Sequence, residues 1–162
     1  MKSKLIILFF ACVISTALFA KDKKDGKLRY DIENVGQEGA QRSYLVRAWI
    51  YSSSANVSID LIKEAAIRGV IFKGYAGSPG VQGQRPLATD PATEEEKADF
   101  FSLFFSSGGE YLRYATALED SYEVIKLGKK EYKIGMVVSV AKDDLRKALE
   151  TANVIRSLSS GF

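Results

Sequence analysis

The alternation of apolar and polar residues changes period several times along the chain, and each change marks an element. From residue 27, Lys-Leu-Arg-Tyr-Asp-Ile-Glu-Asn-Val puts Leu28, Tyr30 and Ile32 on one side and Arg29, Asp31 and Glu33 on the other. A period of two with one wet side predicts a half-buried strand. Residues 36–43 read as a loop. Tyr44-Leu-Val-Arg-Ala-Trp-Ile-Tyr51 follows, apolar on both sides and rich in strand formers, as expected of a central strand. Ile59, Ile62 and Ala66, flanked by Leu61 and Ala65, form a helical stripe over about 58–68. Asn56 or Ser58 would cap its start and Gly69 its end. Val70-Ile-Phe72 then reads as a short buried strand, which makes strand, helix and strand a parallel βαβ unit with a right-handed crossover.

Residues 74–92 break the pattern: all three prolines (Pro79, Pro86, Pro91) and glycines 74, 77, 80 and 83 fall there. Nineteen residues without periodicity is long for a compact domain, and such loops are usually functional or mobile. Thr93-Glu-Glu-Glu96 reads as a capping box with Thr93 as N-cap, opening a helix through Phe100-Phe-Ser-Leu-Phe-Phe105 to Gly108 and Gly109. Residues 111–118 alternate as a strand, Glu119-Asp120-Ser121 reads as a turn, and 122–127 as a second strand. A hairpin at Gly128-Lys129-Lys130 leads into a third strand, 131–140, with Tyr132, Ile134, Met136, Val138 and Val140 on one face. Asp143 would cap a last helix with Leu145, Ala148, Leu149 and Ala152 in its stripe; residues 154–162 form a tail with no assigned place. The order β-β-α-β-α-β-β-β-α predicts an α+β fold: a two-layer mixed β-sheet with helices on one face.

The N-terminus carries a different signal. Lys2 and Lys4 precede an apolar run of 14 residues, and Ala20 stands before the charged Lys21. This is the layout of a secretory signal peptide, too short for a membrane span of ~20 residues. Residues 1–20 are therefore expected to be removed, with cleavage after Ala17 as the second choice. Cys12 raises the rival of lipoprotein processing, but Phe9-Phe10-Ala11 fits that pattern poorly and the apolar run continues past the cysteine. The expected location is periplasmic or secreted. Residues 21–27 read as a solvated tail and 28–162 as a single domain.

Removing the leader alters the chemistry available. The only cysteine goes with it, and the chain has no histidine. Disulfides, Cys or His nucleophiles, imidazole bases and the usual zinc, haem and iron–sulfur sites are thereby excluded for the mature chain. Its charge falls to 21 basic against 20 acidic side chains, with no basic stripe of the kind nucleic-acid binders carry. No cofactor, metal or nucleic acid is expected, and no transmembrane segment after signal cleavage. The oligomeric state is left open.

The glycine-rich loop is the main candidate site, since it would leave the C-terminal end of a strand in a βαβ unit. Lys73, Tyr75 and Arg85 are its candidate ligand-binding residues, the two cations suited to an anion. No Gly-Lys-Ser/Thr follows, so a phosphate-binding P-loop is not supported. Glu94, Glu95 and Glu96 read as first-turn acids that offset the helix dipole, the Phe100–Phe105 cluster and Trp49 as packing.

Three segments, Tyr44-Leu-Val-Arg-Ala-Trp-Ile-Tyr-Ser, Gly69-Val-Ile-Phe-Lys-Gly and Tyr132-Lys-Ile-Gly-Met-Val-Val-Ser-Val, together with the closing Ile155-Arg-Ser-Leu-Ser-Ser-Gly-Phe, give the chain a resemblance to a group of exported, signal-peptide-bearing proteins of Bacteroidota with no known activity. The resemblance implies an envelope setting, beside lipoproteins related to the curli-secretion and penicillin-binding-protein-activator type, and no catalytic residues. The leading expectation is an exported non-enzymatic envelope module, a binding or assembly accessory with an envelope protein partner. The alternatives are a hydrolase using carboxylates or a Ser/Lys pair near the 74–92 loop, and a carrier of a small anionic ligand at Lys73 and Arg85.

Overall fold

The computed structural model describes residues 28–38, 43–77, 79–80 and 82–157. The expected signal peptide with Cys12, the solvated tail 21–27 and the last residues, 158–162, lie outside them. Four strands, β1 (Tyr30–Glu38), β2 (Tyr44–Ser52), β3 (Ala115–Gly128) and β4 (Glu131–Val140), form one antiparallel sheet in the order β1-β2-β4-β3. Its central strands are β2, as its doubly apolar sequence predicts, and β4. Val46, Ala48 and Ile50 of β2 and Ile134, Met136, Val138 and Val140 of β4 are buried on one face. They join one hydrophobic core with residues of helices α1 (Ile59–Arg68), α3 (Ala98–Phe104) and α4 (Lys142–Thr151). The fold is α+β, with the helices on one side of the sheet.

The parallel βαβ unit does not form, so the sheet is antiparallel rather than mixed. Residues Gly69–Lys73 continue α1 as a π-helical turn, and Gly74 N–H donates to the Gly69 carbonyl at 2.8 Å. Three apolar residues cannot distinguish a buried strand from a buried helical turn by periodicity, and here the helix prevails because Val70 and Ile71 complete its inward face. Gly69 does not end the helix; its φ is −60°. It is needed for closeness instead, because a Cβ there would lie 2.4–2.9 Å from the Ile32 side chain of β1. The helical run ends at Gly74, where φ is +66° and a Cβ would strike the Gln84 carbonyl.

Other boundaries shift for local reasons. Ser58 does cap α1, its hydroxyl accepting from Leu61 N–H at 3.2 Å. Thr93 is the first residue of the short α2 (Thr93–Glu96) rather than its cap, and is buried. The N-cap of α2, Ala92, has no side-chain cap bond; Asp90 instead turns the chain into the helix, accepting from Ala92 N–H at 2.9 Å. Asp143 sits in the first turn of α4, behind an Ala141 N-cap without a side-chain bond. Residues Glu110–Tyr114 are a 3-10 turn, so the expected strand over 111–118 begins only at Ala115. The expected turn at 119–121 is a bulge inside one long strand β3, between Leu118 and Glu123. Ser121 holds it: its hydroxyl donates to the Leu118 carbonyl and accepts from Val137 N–H at 2.7 Å, in place of the missing ladder bond. The hairpin at Lys129 and Lys130 forms where expected. Of the unassigned tail, Val154 is buried and Ile155 packs on the core.

Replacing Gly69 by Ala should destabilise the protein by about 1–3 kcal/mol, the usual cost of overpacking. Thermal or urea unfolding measures this, and the companion change Ile32→Val, which shortens the opposing side chain, should recover part of the loss.

Candidate functional site

The 74–92 loop is stitched to the domain rather than free of it. Tyr75 and Gln84 exchange backbone hydrogen bonds, both at 2.9 Å, and close its base as a small antiparallel bridge. Leu87 and Ala88 N–H then donate to the carbonyls of Val70 and Ile71 at 3.2 and 2.9 Å, satisfying acceptors that the π-helical turn leaves open. Both residues are buried. Gln84 also accepts from the Lys142 ammonium of α4, which lies 4.5 Å from the Tyr44 ring. Burial, and next the neighbouring Arg146, lower the Lys142 pKa below its ordinary value. One return of the loop thus covers the end of α1 and ties it to the start of α4.

The three residues expected to bind a ligand separate along this loop. Tyr75 is half-buried in the bridge, and Arg85 is exposed beside it. Lys73 turns instead to strand β1, where its ammonium lies 4.1 Å from the Tyr30 ring, donates to the Tyr30 carbonyl and pairs with Asp31 at 3.3 Å. There it lines a cleft of about 600 Å³ with Arg29, Tyr30, Tyr51, Phe72 and Glu94; Tyr75 and Arg85 do not line it. Most charges in this cleft are already matched. Tyr51 donates to Asp31 at 3.0 Å, and Glu94 accepts from Arg68 at 2.7 Å. Arg68 also binds Glu64 at 2.8 Å and lies over the Phe105 ring at 3.9 Å, joining α1 to α2 and α3. Burial and the Glu94 carboxylate push the Tyr30 hydroxyl up to about 12.

Two further grooves flank α4. One, of about 580 Å³, has Phe100, Phe104 and Tyr114 in its wall and Glu110, Arg113, Asp144 and Lys147 around it. The other, of about 890 Å³, lies between the second half of the loop and the chain after α4, and brings in Arg146 and Arg156 with Asp90 and Glu96. The two arginines were not singled out in the sequence, where nothing relates them to the loop. Among the described residues no group of three or more acidic, His or Cys side chains could hold a metal ion.

The open face of the sheet is laced by ion pairs across strands: Arg47–Glu123 at 2.9 Å, Lys133–Glu33 at 3.8 Å and Arg29–Glu131 at 3.6 Å. Trp49 lies among them only 5% exposed, its ring against Gly135 and within 5.6 and 4.4 Å of Arg47 and Lys133. This face is occupied by its own side chains, as the packing role expected for Trp49 requires.

The two sheet edges differ. Arg29 C=O accepts from Tyr51 N–H inside the sheet, so the Tyr30 carbonyl points outward, and Lys73 covers it. On the opposite edge, Leu118, Val124, Ile125 and Leu127 of β3 are 38–50% exposed. The backbone there follows from the β4 pattern. Val137 and Ala141 N–H both point toward β3, and β4 pairs regularly with β2 from 132 to 140, so Lys133 and Gly135 face β3 as well. Their partners Ile125 and Glu123 turn inward, which leaves the N–H and C=O of Val124 and Lys126 directed outward. No family model, no curated protein and no solved structure matches the chain.

Titrating the phenols tests the site electrostatics. Tyr30 and Tyr111, the latter also raised to about 12 by burial, should ionise well above the ordinary tyrosine value. Because the fold favours their neutral form, the stability they contribute is whole below the ordinary tyrosine value near 10 and is lost as pH rises toward 12. Phenolate absorbance against pH, with Tyr30→Phe removing one late step, checks this; a single transition near 10 for every tyrosine would contradict it.

Proposed function

We propose that this chain is an exported, non-enzymatic module of the cell envelope, a binding or assembly accessory whose working surface is the β3 edge. The observation that carries this reading is the asymmetry between the edges. A strand edge with free N–H and C=O groups is a template for another strand, and proteins ordinarily cover or blunt it. Lys73 covers the outward Tyr30 carbonyl at β1, whereas β3 presents exposed apolar side chains on both faces beside outward backbone groups. Strand addition needs no catalytic group: main-chain hydrogen bonds supply affinity and alternate side chains supply selectivity. The leader-like pattern of residues 1–20 and the resemblance to exported Bacteroidota proteins support the envelope setting. No helix among the described residues is long and apolar enough to cross a membrane.

The anion-carrier reading has less behind it. Lys73 is already engaged by Asp31 and the Tyr30 carbonyl, and Arg85 does not share its cleft. The hydrolase reading needs carboxylates at liberty to move protons: Asp31 and Glu94 accept from Lys73 and Tyr51 and from Arg68 respectively, while Asp90 and Glu96 share the groove beside the loop, where Asp90 accepts from Ala92 N–H.

Two measurements in the native host test the proposal. The intact mass of the purified chain should correspond to a start at Lys21; retention of residues 1–20 would remove the exported setting. A photoreactive residue at Ile125 should give protein adducts mapped to an extended segment, whereas one at Ser102 on α3 should not. Adducts equal at both positions, or none from Ile125, would count against the edge as the working surface.

A further inference from the structure

Resting on the edge reading above, we propose that the strand received by β3 is the β3 of a second copy of this chain, paired antiparallel about a two-fold axis at Ile125. The argument is one of register and charge. The free stretch is bounded by the Ser121 bulge on one side and the Lys129–Lys130 hairpin on the other. A two-fold axis normal to the sheet keeps the helical faces of both copies on the same side and sets residue i opposite a residue of equal parity. Centred on Ile125, it places Val124 of each copy opposite Lys126 of the other. Those are the residues whose N–H and C=O groups point outward, so the two strands exchange hydrogen bonds without disturbing either β4 ladder. Ile125 meets its own copy, and the Lys126 stem lies along the exposed Val124.

Charge agrees with this arrangement. At the bulge β3 is acidic, with Glu119, Asp120 and Glu123, the last already paired with Arg47 at 2.9 Å; toward and into the hairpin it is basic, with Lys126, Lys129 and Lys130. An antiparallel copy sets the acidic end of each strand beside the basic end of the other; a parallel copy would set like charges together. The product is the four-stranded sheet doubled through β3, with β1 and its Lys73 cover at both outer edges. The contact is short, so the expected dimer is a micromolar one.

Sedimentation or light scattering on the chain purified from its native host tests this. A dimer is expected with Kd on the order of 10 µM, weakening as salt is raised because the charge pairs lie at the rim. Val124→Pro removes an outward N–H and spares the β4 ladder, and should weaken the dimer by about tenfold or more. Should that variant lose thermal stability, the charge exchange decides: Lys129→Glu with Lys130→Glu should weaken the dimer, and adding Glu119→Lys with Asp120→Lys should restore it. A monomer at concentrations on the order of 100 µM, or a dimer indifferent to every one of these changes, overturns the self-pairing. If the chain is monomeric while Ile125 still gives adducts with another protein, self-pairing is wrong and the edge reading stands; if both are absent, both fall.

Discussion

Where α1 crosses β1 there is no space for a side chain at Gly69, since any Cβ would meet Ile32 at less than 3 Å. That approach holds the end of α1 against an edge strand and lets Ala65, Ala66, Ile67, Val70 and Ile71 all be buried beneath it. Burying an isoleucine contributes about 1.5–3 kcal/mol, so the continuous row from Ile62 to Ile71 is a large part of what holds the two layers together. The π-helical turn follows from the same contact. The chain must keep Val70 and Ile71 inward and then leave, which it does at the left-handed Gly74. The carbonyls the turn exposes are taken up by Leu87 and Ala88, and so the long loop becomes part of the domain.

That packing also decides which edge of the sheet is available. By pressing the end of α1 onto β1 it brings Lys73 to the Tyr30 carbonyl and covers that outward group. Among the described residues β3 gains no such cover, and its bulge at Ser121 confines the open stretch to the segment nearest the hairpin. The face opposite the helices closes by other means, with Trp49 on Gly135 between two cations that are themselves paired. The Trp49 indole N–H is buried there without a hydrogen-bond partner, and on the proposed reading it is the strand edge that associates, through backbone pairing.

Much of the architecture was legible along the chain because burial imposes periodicity. The alternation at 28–33 and 131–140, the doubly apolar 44–51 and the stripe at 59–67 each reported an element that forms. What misled was short or ambiguous. Val70-Ile-Phe72 is too brief for either period to show, and Glu119-Asp120-Ser121 has turn composition while lying within a strand whose neighbour supplies the missing order. Thr93 and Asp143 carry capping chemistry but lie past the N-caps Ala92 and Ala141, inside their helices. The candidate site was less visible still. Lys73, Tyr75 and Arg85 are near one another in sequence, but a side chain's neighbours are chosen by packing, and β1 rather than the loop receives Lys73.

Sequence alone determined the α+β class, the central strand at 44–51 and the lack of Cys and His from residue 21 onward, because these depend on local pattern and composition. The tertiary structure decided that the sheet is wholly antiparallel, that α1 runs on into a π-helical turn, and that Lys73 covers the Tyr30 carbonyl of β1 while no described residue covers β3 in the same way. Those outcomes turn on a contact between residues 32 and 69, far apart in the chain, where the absence of a single Cβ sets how near two elements can come. No local pattern records such a distance.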